Sequence, residues 1–143
     1  MKKLACLSLL FLFACGGIPK EGLQGKDVSD QFEIIYQSNF NGVSEKSYHI
    51  IQNSEDYKAF FILMKEDKVP EVDFNKSNVL VLNMGEKNSG GYNVLPEKMI
   101  DDGKKLIMTI KEISPDKDQM VTMGMTSPVC IVKINSKKEI LIK

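Results

Sequence analysis

The segment of this 143-residue chain that comes nearest to a chemical motif is GEKNSGGY, residues 85–92. A phosphate-binding loop needs Lys and Ser or Thr directly after the last glycine of G-x-x-x-x-G-K-[ST], and it opens a helix. Here Gly90 is followed by Gly91 and Tyr92, and the residues after them have the pattern of a strand. The lysine therefore lies at the wrong position, and the sequence argues against a nucleotide site.

Residues that could support nucleophilic catalysis or bind a metal are also scarce. The chain contains one histidine, His49, and three cysteines, a set from which neither a Ser-His-Asp nor a Cys-His arrangement can be assembled. One histidine cannot build a zinc site, and no acidic run has the spacing of a calcium loop. Cys130 lies in an apolar run, where a buried and inert thiol is expected. The sequence therefore predicts no enzyme, no metal site and no cofactor.

The first residues have the composition of an export signal. Two lysines precede the apolar run 4–13, which is too short to span a bilayer as a helix. The run ends in LFAC, residues 12–15, which resembles the lipobox of bacterial lipoproteins, where the cysteine accepts diacylglycerol. A plain secretory signal with an incidental Cys15 is the alternative. We predict a signal peptide at 1–14, lipidation of Cys15, and a membrane-anchored lipoprotein of the bacterial envelope, at the outer membrane or cell surface.

The charge balance argues against nucleic-acid partners. Without the two lysines of the signal, 17 basic side chains stand against 19 acidic ones, a net charge of −2. Every basic residue is lysine, whereas nucleic-acid recognition relies on arginine and on a basic patch. With Cys6 removed and Cys15 acylated, Cys130 is left alone, so no internal disulfide is expected.

The mature chain divides into a tether and one domain. Residues 15–30 are rich in Gly, Lys and Asp and are expected to form a flexible tether. Residues 31–143 have the length of a single domain. Alternation over 32–37 and the run 47–52 predict two strands. Ser54 is expected to cap a helix that ends before Pro70, with a core-facing stripe at i, i+3, i+4 and i+7: Tyr57, Phe60, Phe61 and Met64.

The second half of the chain reads as an antiparallel series of strands. Asp101-Asp102-Gly103 is a hairpin signal between two of them. The segments with strand patterns are 79–84, 92–95, 98–100, 106–110, 120–123, 129–134 and 139–142. The expected fold is therefore α+β, with a curled, mainly antiparallel sheet of about seven or eight strands packed on one helix.

Two sequence blocks in the second half resemble a known family. Gly85 followed by Ser89-Gly90-Gly91-Tyr92 is similar to the G-x-x-x-[ST]-G-G-Y segment of the protease-complex subunit PrcB family. Thr126-Ser127-Pro128 followed by Ile131-Val132-Lys133-Ile134 is similar to its closing T-x-P-x-x-[IV]-V-K-I segment. The PrcB-like portion covers roughly 79–135. The resemblance implies an exported accessory subunit of a surface protease, with a binding or stabilising role.

The glycine-rich segment allows two interpretations. Two consecutive glycines permit a positive φ or a close backbone approach, so the chain can reverse and enter a strand at Tyr92. Alternatively the segment forms a contact surface together with residues 126–128, since loops on a rigid scaffold often carry binding. The candidate partner-binding residues are Asn88, Ser89, Gly90, Gly91, Tyr92, Thr126, Ser127 and Pro128.

Three classes of function remain open from the sequence. The leading hypothesis is a lipid-anchored protein-interaction module, an accessory or stabilising subunit of an exported protease or another envelope complex. The second is a lipoprotein that binds a small molecule or glycan without catalysis, although the absence of tryptophan counts against it. The third is an enzyme, which the missing catalytic groups disfavour.

Overall fold

The computed structural model describes residues 25–143. Residues 1–24, which include the expected signal peptide, Cys15 and most of the expected tether, lie outside this description. The elements are β1 (Lys26–Asp27), a 3₁₀ turn (Ser29–Gln31), β2 (Phe32–Ser38), β3 (Ser47–Ile51), α1 (Ser54–Leu63), β4 (Asn78–Asn83), β5 (Asn93–Asp101), β6 (Leu106–Ile113), β7 (Val129–Ile134) and β8 (Ile140–Ile142). Within residues 25–143, no helix is long and apolar enough to cross a membrane.

The eight strands form two four-stranded sheets. Sheet I has the order β1-β5-β6-β8, and sheet II has the order β2-β7-β4-β3. All pairs are antiparallel except β6 with β8, which is parallel. The α+β class, the strand number and the single helix are thus confirmed. Where the sequence predicted one curled sheet, the strands are divided between two.

Sheet II is covered on both faces. Side chains of a strand alternate between the faces, so Leu80 and Leu82 of β4 contact sheet I while Val79 and Val81 contact the helix. Sheet I adds Val94, Met99, Leu106 and Met108 to the core between the sheets. Because residues 79–82 of β4 and 129–132 of β7 have no solvent-facing side, both segments are continuous apolar runs in the sequence.

The helix packs on sheet II through the predicted stripe. Tyr57, Phe60, Phe61 and Met64 are all buried. The ring of Phe61 lies 5.0 Å from that of Tyr57 and 5.5 Å from that of Tyr36, both edge-on. The N-cap is Asn53 instead of the expected Ser54, since the Asn53 side chain accepts a hydrogen bond from the Asp56 N–H at 2.8 Å.

One boundary and one expected strand differ from the sequence prediction. The tether expected over 15–30 is too long, because residues 26–27 pair with β5 and Val28 is buried in the core. Residues 120–123, expected to be a strand, form no regular strand, since no neighbouring strand offers a ladder to them. The helix ends at Leu63, and positive φ at Lys65 turns the chain away.

Candidate functional site

Three loops meet at one end of the two sheets. They are the β2–β3 loop (residues 39–46), the glycine loop (residues 84–92) and the methionine loop (residues 114–128). The strand register requires this meeting, because Val129 pairs with both Ser38 and Asn83, while Asn93 pairs with Ile113. The sequence-predicted candidate residues lie on two of these loops and are therefore brought together.

The glycine loop and the methionine loop are joined by backbone hydrogen bonds. Lys87 and Thr126 form a two-way bridge, with N–H to carbonyl distances of 2.8 and 2.9 Å. The Gly90 N–H donates to the Thr122 carbonyl at 3.0 Å. The Thr126 hydroxyl donates to the Ser89 carbonyl at 2.7 Å. These bonds fix the backbone of both loops without using the outward-facing side chains.

The backbone conformation at Gly91 explains why a glycine is needed at this position of the glycine pair. Its φ is +87°, a left-handed conformation that disfavours residues with a Cβ. A Cβ at Gly91 would also lie 2.9 Å from the Pro115 Cβ and 3.1 Å from a Val121 methyl. The turn expected from the sequence therefore exists, and it doubles as a close approach between the two loops.

Tyr92 links the glycine loop to the core. It is half-buried, and its ring packs against the core between the sheets. The Lys87 ammonium lies 5.4 Å from the centre of this ring, within range of a cation–π contact. The structure gives its hydroxyl no hydrogen-bond partner among residues 25–143. Tyr92 therefore has a fixed ring and a phenol available to a partner.

A buried asparagine holds the β2–β3 loop at the same end. Asn83 is fully buried; its side-chain carbonyl accepts from the Val43 N–H at 3.0 Å, and its amide donates to the Val43 and Glu45 carbonyls. The loop also bonds to the methionine loop, since the Gly42 N–H donates to the Ser127 carbonyl at 2.9 Å. Sequence reasoning missed this role, because a polar residue ending a strand carries no sign of its partners.

An ion pair borders the glycine loop. The Lys46 ammonium contacts the Glu112 carboxylate at 2.7 Å, and the Tyr48 hydroxyl donates to the same oxygen at 2.8 Å. These two hydrogen bonds, Lys46 first, lower the pKa of Glu112, while burial and then Glu112 raise the pKa of Tyr48. Lys87 adds a smaller charge effect on Glu112. This edge therefore carries a charge-compensated pair, Lys46 with Glu112.

The predicted candidate residues differ in exposure. Asn88 and Gly91 are exposed, while Ser89, Gly90, Tyr92 and Ser127 are partly exposed. Thr126 and Pro128 are buried. These last two residues can shape the surface but present almost no area to a partner.

Strongly exposed apolar side chains of this end, three on the methionine loop and Phe40 of the β2–β3 loop (71% exposed), were not among the predicted candidates. Met120, Met123 and Met125 are 99%, 92% and 69% exposed. The sequence analysis assigned 120–123 to a strand, which hides half of its side chains. The interruption by Gly124, in the segment MVTMGM, is the signal that could have indicated a loop.

Groups that could do nucleophilic or metal chemistry are placed unfavourably. Burial raises the pKa of the Cys130 thiol to about 12, so it stays protonated in the core. His49 lies against the Phe60 ring at 5.6 Å, and burial lowers its pKa. Among residues 25–143, no three His, Cys, Asp or Glu side chains cluster as metal ligands.

A groove lies elsewhere on the surface, between the start of α1 and residues 69–74. Its volume is about 630 Å³, and Tyr57, Val72 and Phe74 contribute its apolar wall. The Tyr57 hydroxyl donates to the Pro70 carbonyl at 3.1 Å, so this polar group is already used. A small-molecule ligand, the second sequence hypothesis, would bind in this groove at a distance from the predicted candidate residues.

The fold and its loops define an α+β domain in which the glycine loop and the methionine loop both lie in the second half of the chain. Residues 78–135 match the family model described as PrcB C-terminal. The matched segment starts with β4, contains the glycine and methionine loops, and ends just after β7. The resemblance inferred from the sequence over roughly 79–135 is thus confirmed. No curated protein and no solved structure matches the chain.

Proposed function

We propose that this protein is a lipid-anchored interaction module of the bacterial envelope, an accessory subunit that docks on an exported protease complex. The observation that carries the proposal is the joining of the glycine and methionine loops by backbone hydrogen bonds, which leaves the side chains of Asn88 and of the three methionines of the methionine loop in solvent. The family match adds the protease-complex context, because it covers both loops.

The docking surface consists of the outward residues of the two loops. Exposed apolar side chains on a rigid, polar-rimmed end are typical of protein contact sites. Methionine suits such a site because its flexible thioether adapts to the partner. We define this loop surface as Asn88, Gly91, Tyr92, Met120, Met123 and Met125.

The environments of the Cys130 thiol and the His49 imidazole, the two groups best suited to nucleophilic catalysis, favour binding over catalysis. The thiol of Cys130 is buried, with a raised pKa, and the ring of His49 faces Phe60. Neither group lies on a loop that forms the loop surface. A module without its own chemistry contributes by positioning or stabilising the subunit to which it binds.

The test is capture from solubilised membranes with matched variants. Met123→Glu places a charge in the loop surface and is expected to reduce capture of an exported protease about tenfold, as a lost hot spot of ~1.4 kcal/mol does. Leu141→Glu is the control: Leu141 is 37% exposed and lies on β8, which pairs with the opposite end of β6. Equal capture by both variants contradicts the proposed surface.

The anchor is tested separately. Cys15 follows the apolar run and the small residue Ala14, and two glycines come directly after it, which suits lipidation. A metabolic fatty-acid label is expected on the wild type and on Cys6→Ser, and absent from Cys15→Ser. Labelling of Cys15→Ser, or of none of the three proteins, contradicts the anchor but leaves the docking surface standing.

A further inference from the structure

The methionines of the described chain are divided between two environments. Met64, Met84, Met99 and Met108 are buried, with at most 5% exposure. The other three described methionines, Met120, Met123 and Met125, are exposed, and all of them lie within six residues. Apolar packing explains the first group. The second group needs another reason, because a solvated thioether contributes nothing to the core.

Thioethers have a definite coordination preference. The sulfur of methionine is a soft, neutral donor, which selects Cu(I) and similar monovalent soft ions over hard divalent cations. The oxygen-ligand clusters that hard cations need are absent among residues 25–143. Cys130, the described thiol, is fully buried and does not compete for an ion at the surface.

The backbone presents the three thioethers on one short arc. The Thr122 carbonyl accepts from the Gly90 N–H at 3.0 Å, and Thr126 is bridged to Lys87, so residues 123–125 are held at both ends. The chain bends at Met123 and Gly124. A Cβ at Gly124 would meet nothing within 4 Å, so the space beside Gly124 is open. Met123 and Met125 lie within this anchored segment and Met120 lies two residues before Thr122, so the three flexible side chains are close enough along the chain to converge on one ion.

We propose that Met120, Met123 and Met125 form a surface site for one Cu(I) ion, coordinated by the three thioether sulfurs. Binding is simple coordination: no bond of the protein breaks, and neither the ion nor the sulfur changes oxidation state. The proposal does not rest on the docking function, since leucine keeps the apolar surface for a partner but removes the ligands.

The experiment follows ¹³C-methyl methionine resonances of the full chain on addition of Ag(I), a redox-stable equivalent of Cu(I). Every compared protein carries Cys6→Ser and Cys15→Ser, so that thiols outside the described residues do not compete. One equivalent is expected to shift the Met120, Met123 and Met125 methyls, assigned by single leucine variants, and to leave the four buried methyls in place.

Two controls make the result decisive. The triple variant Met120→Leu, Met123→Leu, Met125→Leu is expected to lose the binding of this equivalent, while Met84→Leu, which removes a buried thioether, keeps it. Zn²⁺ at the same concentration is expected to leave the spectrum unchanged. The proposal is overturned if the three methyls do not shift, if the triple variant still binds, or if Zn²⁺ shifts the same methyls.

Discussion

The two central strands of sheet II and the methionine loop both contain several apolar residues, but those of the strands are buried and the methionines of the loop are exposed. In β4 every residue is buried, because sheet I covers one face and the helix covers the other. In the methionine loop Met120 and Met123 are almost fully exposed. The difference teaches that the strands are held by side-chain packing as well as by their backbone ladders, whereas the exposed methionines belong to a loop that is held through its backbone.

This distinction has a consequence for function. A segment fixed by side-chain packing cannot offer those side chains to a partner without losing stability. The methionine loop is fixed by the Lys87–Thr126 bridge and the Gly90–Thr122 hydrogen bond. The side chains of Met120, Met123 and Met125 are therefore free to bind, and changes to them should leave the fold intact.

The largest expected effect lies in the doubly covered sheet. Phe61→Ala removes a fully buried ring from the core between α1 and sheet II and should cost about 3–5 kcal/mol. The neighbouring Ile62 is 74% exposed, and Ile62→Ala should cost less than about 0.5 kcal/mol. Urea unfolding measures both. Similar losses for the two variants would show that the helix does not cover the sheet through this face.

The next comparison sets one methionine against another. Met108→Ala empties a fully buried site and should cost about 2–5 kcal/mol. Met123→Ala should stay within about 0.5 kcal/mol of wild type, because its side chain contributes no packing. Chemical denaturation of both variants supplies the values. A large loss for Met123→Ala would mean that this side chain packs in solution and is not available to a partner.

Backbone control of the loops is probed by a pair of glycines. Gly91→Ala forces a Cβ into positive φ and against Pro115, and should cost about 1–2 kcal/mol. Gly124→Ala meets open space and should be neutral or slightly stabilising. Thermal unfolding of the two variants is compared with wild type. A tolerated Gly91→Ala would remove the argument that close approach fixes the loops.

The smallest effect concerns pH. Burial lowers the pKa of His49 below its ordinary value of 6.5. Just below that pH the unfolded chain binds more protons than the folded chain, so the free energy of unfolding falls as pH falls. His49→Gln should flatten this dependence between about pH 7.5 and about pH 5.5, as judged from urea midpoints. An unchanged slope in the variant would show that His49 is not the group that titrates.

Much of sheet II and of the helix that covers it could be predicted from the sequence. The stripe from Tyr57 to Met64 has helical spacing, and it is buried as expected. The division into two sheets was missed, although the apolar runs 79–82 of β4 and 129–132 of β7 indicate cover on both faces. Val28 was missed because one apolar residue in a polar stretch carries no periodic signal.

The loop end was less predictable, for a physical reason. The glycine pair signals a turn wherever it occurs, and Gly91 has the positive φ that this signal implies. Whether residues 120–123 form a strand depends on a partner strand, and pairing is not encoded in local alternation. The exposure of Met123 therefore had to come from the structure.

The central claim is that the loop surface contacts an exported protease. A photoreactive residue at position 123, at position 141 or at position 62 can be cross-linked in intact cells and the products identified. We expect a product containing an exported protease from position 123 and none from positions 141 and 62, although Ile62 and Leu141 are also exposed apolar residues. A protease product from position 141 or 62, without one from position 123, contradicts the account.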